Sequence, residues 1–232
     1  MSIDEMPGHL FKNLLKLVFH PFQFFEGMPE HPRLLPPLLF ILGLCLIQTA
    51  WYSRVILAGM EQLLGGTGIF PTKGYILRSI IQITLGPVFH WIAFTAIIFV
   101  ISALLRGEGS FSRIFAYTAY GIFVRYIFSL IQAIISILAG GQIMHEVSRL
   151  MMGSGYLSLP SLSTDPTIAV FWMVFWLIGI IGFVWTFIVY VAATQHGRNL
   201  PRMHALLTVI LAFVCMYGVV WMRVLFVRSI MV

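Results

Sequence analysis

Arg125 and His90 are the residues of this chain best placed to do chemistry, because each interrupts a long apolar run. An arginine in such a setting could hold an anion, a lipid headgroup or a solute, and a histidine could relay protons or ligate a metal. Gln48, Gln82, Gln132, Tyr126 and Tyr217 interrupt apolar sequence as well and could join them in an intramembrane polar cluster, with Arg125, His90, Gln48 and Gln132 at its centre. Arginine near the centre of a bilayer costs on the order of 3 kcal/mol on insertion scales. Arg125 is therefore expected to face other helices and find acceptors there. Three uses stay open: a structural cluster with carbonyl, Gln or Tyr oxygens, an anion or lipid site, and contact with an acidic residue on a partner subunit. An ion-paired relay within the chain is unavailable, since all eight Asp and Glu lie in the N-terminal segment or between apolar runs.

Other chemistry finds little support. His9, His20, His31, His196 and His204 form no recognised ligand spacing, and "HEVSR" at His145 lacks the second histidine of a zincin motif. No metal and no cofactor is expected. "GGTG" at residues 65–68 is too short for a phosphate loop, and Ser102, Ser129 and Ser136 have no intramembrane carboxylate for a hydrolase. Small side chains of this kind serve helix packing. Cys45 and Cys215 both lie in apolar runs and read as buried side chains rather than a disulfide framework. The chain is not expected to be an enzyme.

The elements that carry these residues follow from composition. Hydrophobic residues make up 59% of the chain and charged residues 9%, against about 25% charged in soluble domains. Such a chain cannot cover itself with polar groups, so its solvent is lipid. Its excess of 14 Lys and Arg over 8 Asp and Glu then meets lipid phosphates and sets orientation, and nucleic acid is not a partner. About 20 apolar residues cross the hydrocarbon. Runs at 34–58, 75–105, 111–139, 168–193 and 203–230 qualify, and continuous rather than alternating apolarity makes them helices. Gly86-Pro87 is expected to kink the second. Arg125 lies 12 residues beyond Arg113 in the third run, about 18 Å along a helix. Arg223, near Arg228 and the end of the sequence, is expected to snorkel outward.

Ahead of the first run, Lys12, Asn13, Lys16 and His20 share one helical arc, and Leu10, Phe11, Leu14, Leu15, Val18 and Phe19 fill the rest. This predicts an amphipathic helix over 10–20, ended by Pro21, lying in the membrane interface or packed on a partner protein. Residues 143–151 form a second surface candidate, followed by a loop, "GSGYLSLPSLSTDP". The sequence shows no cleavable signal peptide. With the N-terminus in the cytoplasm, Lys12, Lys16, Arg33, Arg106, Arg113, Arg198 and Arg202 lie inside, and Lys73, Arg149, Arg228, Arg54 and Arg78 lie outside or near outer helix ends. That bias favours a cytoplasmic N-terminus and an external C-terminus. Gly107 and Gly109 permit a tight reversal between the second and third spans, and Ser110 can cap the helix that follows.

The fold class is thus an all-α integral membrane protein: five transmembrane helices (34–232) preceded by a cytoplasmic N-terminal segment (1–33) with its interfacial helix. Three stretches resemble the Yip family, the Ypt/Rab-interacting-protein membrane domains. They are "FHPFQFFEGMPEHPRLLPPL" at 19–38, "GEGSFSRIFAYTAYG" at 107–121 and the Trp-rich "FWMVFWLIGIIGFVWTFIVYVAATQHGRNLPRMHALLTVIL" at 171–211. The resemblance implies five spans after a short cytoplasmic segment. In eukaryotic members it implies contact with Rab-type GTPases in traffic between the endoplasmic reticulum and Golgi. This chain lacks a long cytosolic N-terminal region and is similar to compact members from bacteria and archaea, which places it in a prokaryotic cell membrane. The expected function is a non-enzymatic scaffold, adaptor or accessory subunit, with membrane lipids and other membrane or membrane-associated proteins as partners. Its cytoplasmic interaction face would carry Lys12, Lys16, Arg106, Arg113, Arg198 and Arg202. The alternative is transport of a small solute, ion or lipid, or lipid scrambling, through the Arg125 and His90 cluster.

Overall fold

The computed structural model describes residues 15–29, 32, 38–39, 41–47, 49, 73–138 and 166–230. Among these residues there are helices and turns and no strand. Residues 15–19 are helical, as are the described parts of 38–49. The named helices are α1 (Pro21–Glu26), α2 (Lys73–Leu104), α3 (Phe111–Leu138), α4 (Pro166–Gly197) and α5 (Arg202–Ile230). Most of the expected first span, the surface candidate at 143–151, the loop after it up to Pro166, Lys12 and Gln48 lie outside the described residues.

Among the described residues three helices are long and apolar enough to cross a membrane: Thr84–Leu104, Phe111–Ile135 and Ala169–Gly197. The described apolar part of α5 is shorter, Arg202–Gly218. Helix α2 continues through Pro87. The helical residues 15–19 stop before His20, but Pro21 does not end helical structure. It opens α1 from the first turn, where a proline loses no intrahelical bond and its fixed φ suits the helix.

The helices expose many large apolar side chains and bury several hydroxyls beside an apolar core, unlike a protein in water. On α5, Met203, Leu207, Ile210, Leu211 and Val214 are exposed, while Ala205, Thr208, Val209 and Ala212 are buried. On α4, Met173, Trp176, Leu177, Ile180 and Phe183 are exposed, and Thr186 and Thr194 are buried. Contiguous exposed apolar surface on this scale is matched by hydrocarbon, not water. Two buried hydroxyls bond back to their own helices: Thr208 donates to the His204 carbonyl at 2.8 Å and Thr118 to that of Ile114 at 3.0 Å.

The chain divides into two compact units. The first comprises Met1–Leu39, Phe89–Val124 and Trp185–Val232. Here α2 and α3 meet through Trp91, which stacks on Phe115 at 3.9 Å between ring centroids and donates its indole N–H to Thr118 Oγ1 at 3.1 Å. Thr118 also shares a 2.7 Å hydrogen bond with Thr95. Phe94 meets Tyr190 and Phe213, each at 4.8 Å. Alanines at 116, 119, 192, 193, 205 and 212 are buried, and small side chains let membrane helices approach closely. The second unit comprises Phe40–Val88 and Arg125–Val184. It is joined by Cys45 Sγ and Tyr126 Oη at 3.4 Å, Thr49 and Thr84 at 2.8 Å, and the Gln132 amide donating to the Phe175 carbonyl at 2.9 Å.

Gly121 marks the tightest helix approach in the first unit. A Cβ there would lie 2.5 Å from Tyr190 Cε1 and 2.7 Å from its Cδ1. The Tyr190 ring is held in turn by Phe94 and Phe213. Gly121→Ala is expected to destabilise the protein by about 1–3 kcal/mol through overpacking, read as an earlier thermal transition in detergent. Gly43→Ala meets nothing within 4 Å among the described residues and should leave the transition unchanged or raise it. Equal melting of Gly121→Ala and the parent would disprove the tight approach.

Candidate functional site

The chemically distinctive region is the pair of polar turns at the ends of α2 and α4. Each helix stops in the same way. After α2, Arg106 takes φ 63°, with its N–H on the Ala103 carbonyl at 3.1 Å and the Gly107 N–H on the Ser102 carbonyl at 2.8 Å. After α4, Asn199 takes φ 50° and the Leu200 N–H reaches the Gln195 carbonyl at 3.0 Å. Both show the left-handed residue and the 6→1 hydrogen bond of a Schellman stop. Glycine is the usual occupant of that left-handed position, and an L-residue there costs about 1–2 kcal/mol. Gly109, at φ 112°, completes the first turn, and Ser110 Oγ accepts the Arg113 N–H at 3.3 Å as the cap of α3. Gly107 serves by lacking a side chain, since a Cβ would sit 2.8 Å from the Ser102 carbonyl oxygen.

Arg198 locks the turns together. Its Nε donates to Ser102 Oγ at 2.9 Å, one terminal nitrogen to the Gly107 carbonyl at 2.6 Å and the other to the Gly109 carbonyl. Its own carbonyl accepts the Glu108 N–H at 2.8 Å. Its guanidinium lies 4.4 Å from the centre of the Phe99 ring, and the residue is only 3% exposed. Burial lowers the guanidinium pKa below its ordinary value, which starts so high that the group stays cationic. Counted by sequence among the cytoplasmic basic residues, Arg198 is an internal strut.

The N-terminal segment packs on the same unit. Phe25 is buried and stacks on Tyr117 at 5.3 Å, while Phe24 meets Tyr120 edge-on at 5.1 Å. Tyr117 Oη donates at 3.4 Å towards the carbonyls of Met28 and Pro29. Arg113 lies 5.6 Å from the Tyr117 ring centre and Arg202 lies 4.3 Å from that of Phe22, so α1 is flanked by cation–π contacts. Of the six basic residues expected on this face, Lys16, Arg106 and Arg202 are exposed, Arg113 is half-buried, Arg198 is buried, and Lys12 lies outside the described residues. Arg113 Nε is buried with no partner among the described residues.

The proposed intramembrane cluster is a different matter. His90, in the first unit, stacks on Phe94 at 6.0 Å. Arg125 and Gln132 belong to the second, and the Gln132 amide is engaged by the Phe175 carbonyl. Arg125 was expected to point into the helix packing and find acceptors. It is exposed instead. Sequence reasoning gave Ser102 only a packing role and assigned none to Phe99, yet both hold Arg198. A serine one turn before a Gly-rich loop was the available signal. Among the described residues no group of His, Cys, Asp and Glu could hold a metal.

Arg198→Ala would leave buried acceptors on Ser102, Gly107 and Gly109 unpaired, with an expected loss of about 2–4 kcal/mol. Arg198→Lys should recover part of it, because an ammonium cannot reproduce the fork. Gly109→Ala should also destabilise, since its Cβ would lie 2.7 Å from the Gly197 carbonyl oxygen at a φ that side chains avoid. Thermal transitions in detergent check the order, and an Arg198→Ala protein as stable as the parent would remove the strut.

Comparison with curated proteins and with solved structures gave no match. The family model of the Yip1 domain matches residues 15–222, which takes in both turns, α1 to α4 and most of α5. The chain belongs to the Yip family and is an integral membrane protein of that family.

Proposed function

We propose that this protein is a non-enzymatic scaffold, adaptor or accessory subunit of a prokaryotic membrane complex, and that the paired turns with α1 form its partner-binding face on the cytoplasmic side. The observation that supports this most is the Arg198 strut. It holds two polar turns in one geometry while Lys16, Arg106 and Arg202 remain exposed around them. A pre-organised surface loses little freedom on binding, and exposed cations steer acidic partners and anionic lipid headgroups. Phe19, exposed at 63%, supplies an apolar anchor on the same segment as Lys16. The residues on this face offer no nucleophile paired with a base, which favours binding over catalysis. The transport reading through Arg125 and His90 gains no further support from the geometry.

Arg106 separates stability from binding. Arg106→Gly removes the left-handed strain and should stabilise the fold by about 1 kcal/mol, while removing a cation from the face. In mild-detergent extracts compared by quantitative mass spectrometry, Arg106→Gly combined with Arg202→Glu should lower recovery of co-purifying proteins by half or more. Identical recovery from a stably folded variant would show that the face is not where partners bind.

A further inference from the structure

We infer that the α3 surface at Arg125 receives a transmembrane helix of a different membrane protein carrying a carboxylate at matching depth. This deepens the proposed adaptor role by naming the chemistry of one partner.

Arg125 is the fifteenth residue of the 25-residue apolar span Phe111–Ile135, two positions past its middle. It is exposed, between the buried Val124 and Tyr126. It makes no hydrogen bond and no ion pair among the described residues, whereas Arg198 binds two carbonyls and a hydroxyl and Arg113 and Arg202 lie over aromatic rings. Twelve residues separate it from Arg113 beside the polar turn, about 18 Å of helix, and thirteen more lead to Leu138, about 20 Å. Lipid phosphates on either side are then beyond the reach of a side chain that extends about 7 Å, short of the half-thickness of about 15 Å. The compensating charge must come at mid-depth. This chain has no Asp or Glu in an apolar run, so a second copy of itself cannot supply one. A carboxylate on another protein's membrane helix can, and the pair would neutralise both groups where water is absent.

The test uses the full chain in phosphatidylcholine vesicles, dye-labelled at Cys215, which is exposed, whereas Cys45 is buried. The probes are Leu/Ala transmembrane peptides of about 20 residues with a single central Asp, Asn or Leu and an acceptor dye. Energy transfer against peptide density should show the Asp peptide associating about tenfold more tightly than the Leu peptide, with the Asn peptide weaker than Asp. Arg125→Gln should abolish the preference and Arg125→Lys should retain most of it. Equal association of the three peptides with the parent protein overturns the inference, as does a preference that survives Arg125→Gln. A preference that emerges only with Glu61→Gln, Glu146→Gln and Asp165→Asn together would mean that the cation is already paired within the chain, and also overturns it. The cytoplasmic face plays no part in this assay, so its outcome is independent of the extract experiment on Arg106 and Arg202.

Discussion

A cation without a carboxylate holds the described fold together at its polar end. Arg198 sits where α2 and α4 both terminate, and the oxygens it binds belong to Ser102, Gly107 and Gly109. Helix C-termini carry partial negative charge, on the order of half an elementary charge each. Two such ends side by side would repel. One guanidinium answers that problem, because its charge lies beside both negative dipole ends while its planar fork ties the loop carbonyls of Gly107 and Gly109 to the last turn of α2 through Ser102 Oγ. Burial without an acidic partner is therefore sustainable for Arg198 where a buried unpaired charge would ordinarily be excluded. The glycines around it follow from the same constraint. Gly107, Gly109 and Gly197 each lie where a Cβ would press within 3.0 Å of a neighbouring atom.

Much of the architecture was legible because membrane helices announce themselves by hydropathy. The third apolar run, read as 111–139, is α3, Phe111–Leu138, since Ser110 marks its start chemically as well as by polarity. The fourth was read to end at 193 and continues to Gly197. Hydropathy reports where hydrocarbon ends, not where hydrogen bonding ends. Thr194, Gln195 and His196 are polar enough to leave the lipid and still helical enough to continue the ladder, until Asn199 takes the left-handed conformation. Helix α1 was missed because Pro21 reads equally as a stop and as a first helical residue. Only the packing of Phe25 on Tyr117, a contact across more than ninety positions of sequence, decides between them.

The site was less legible than the spans, and its arginines show why. Arg106, Arg113, Arg198 and Arg202 are alike in sequence: each is a basic residue close to an apolar run. In space one strains a turn, one lies beside Tyr117, one is buried and one lies over Phe22. Nothing in local composition separates them, because the difference comes from which carbonyls and rings arrive from elsewhere in the chain. Arg198 has neighbours at Ser102 and Phe99, nearly a hundred positions away. Charge counting groups these arginines together and could not single out Arg198.

The same comparison clarifies what kind of function the turns suit. Catalysis at a membrane surface needs a reactive group held near substrate, and gating needs an element with two arrangements of similar energy. The Arg198 assembly has neither property. Each of its three nitrogens donates within the turns, its guanidinium lies close to the Phe99 ring, and the glycines beside it are tightly packed. What such an assembly does well is hold still. A turn pair held in this way keeps its exposed charges at fixed spacing, which is what the proposed partner-binding face requires.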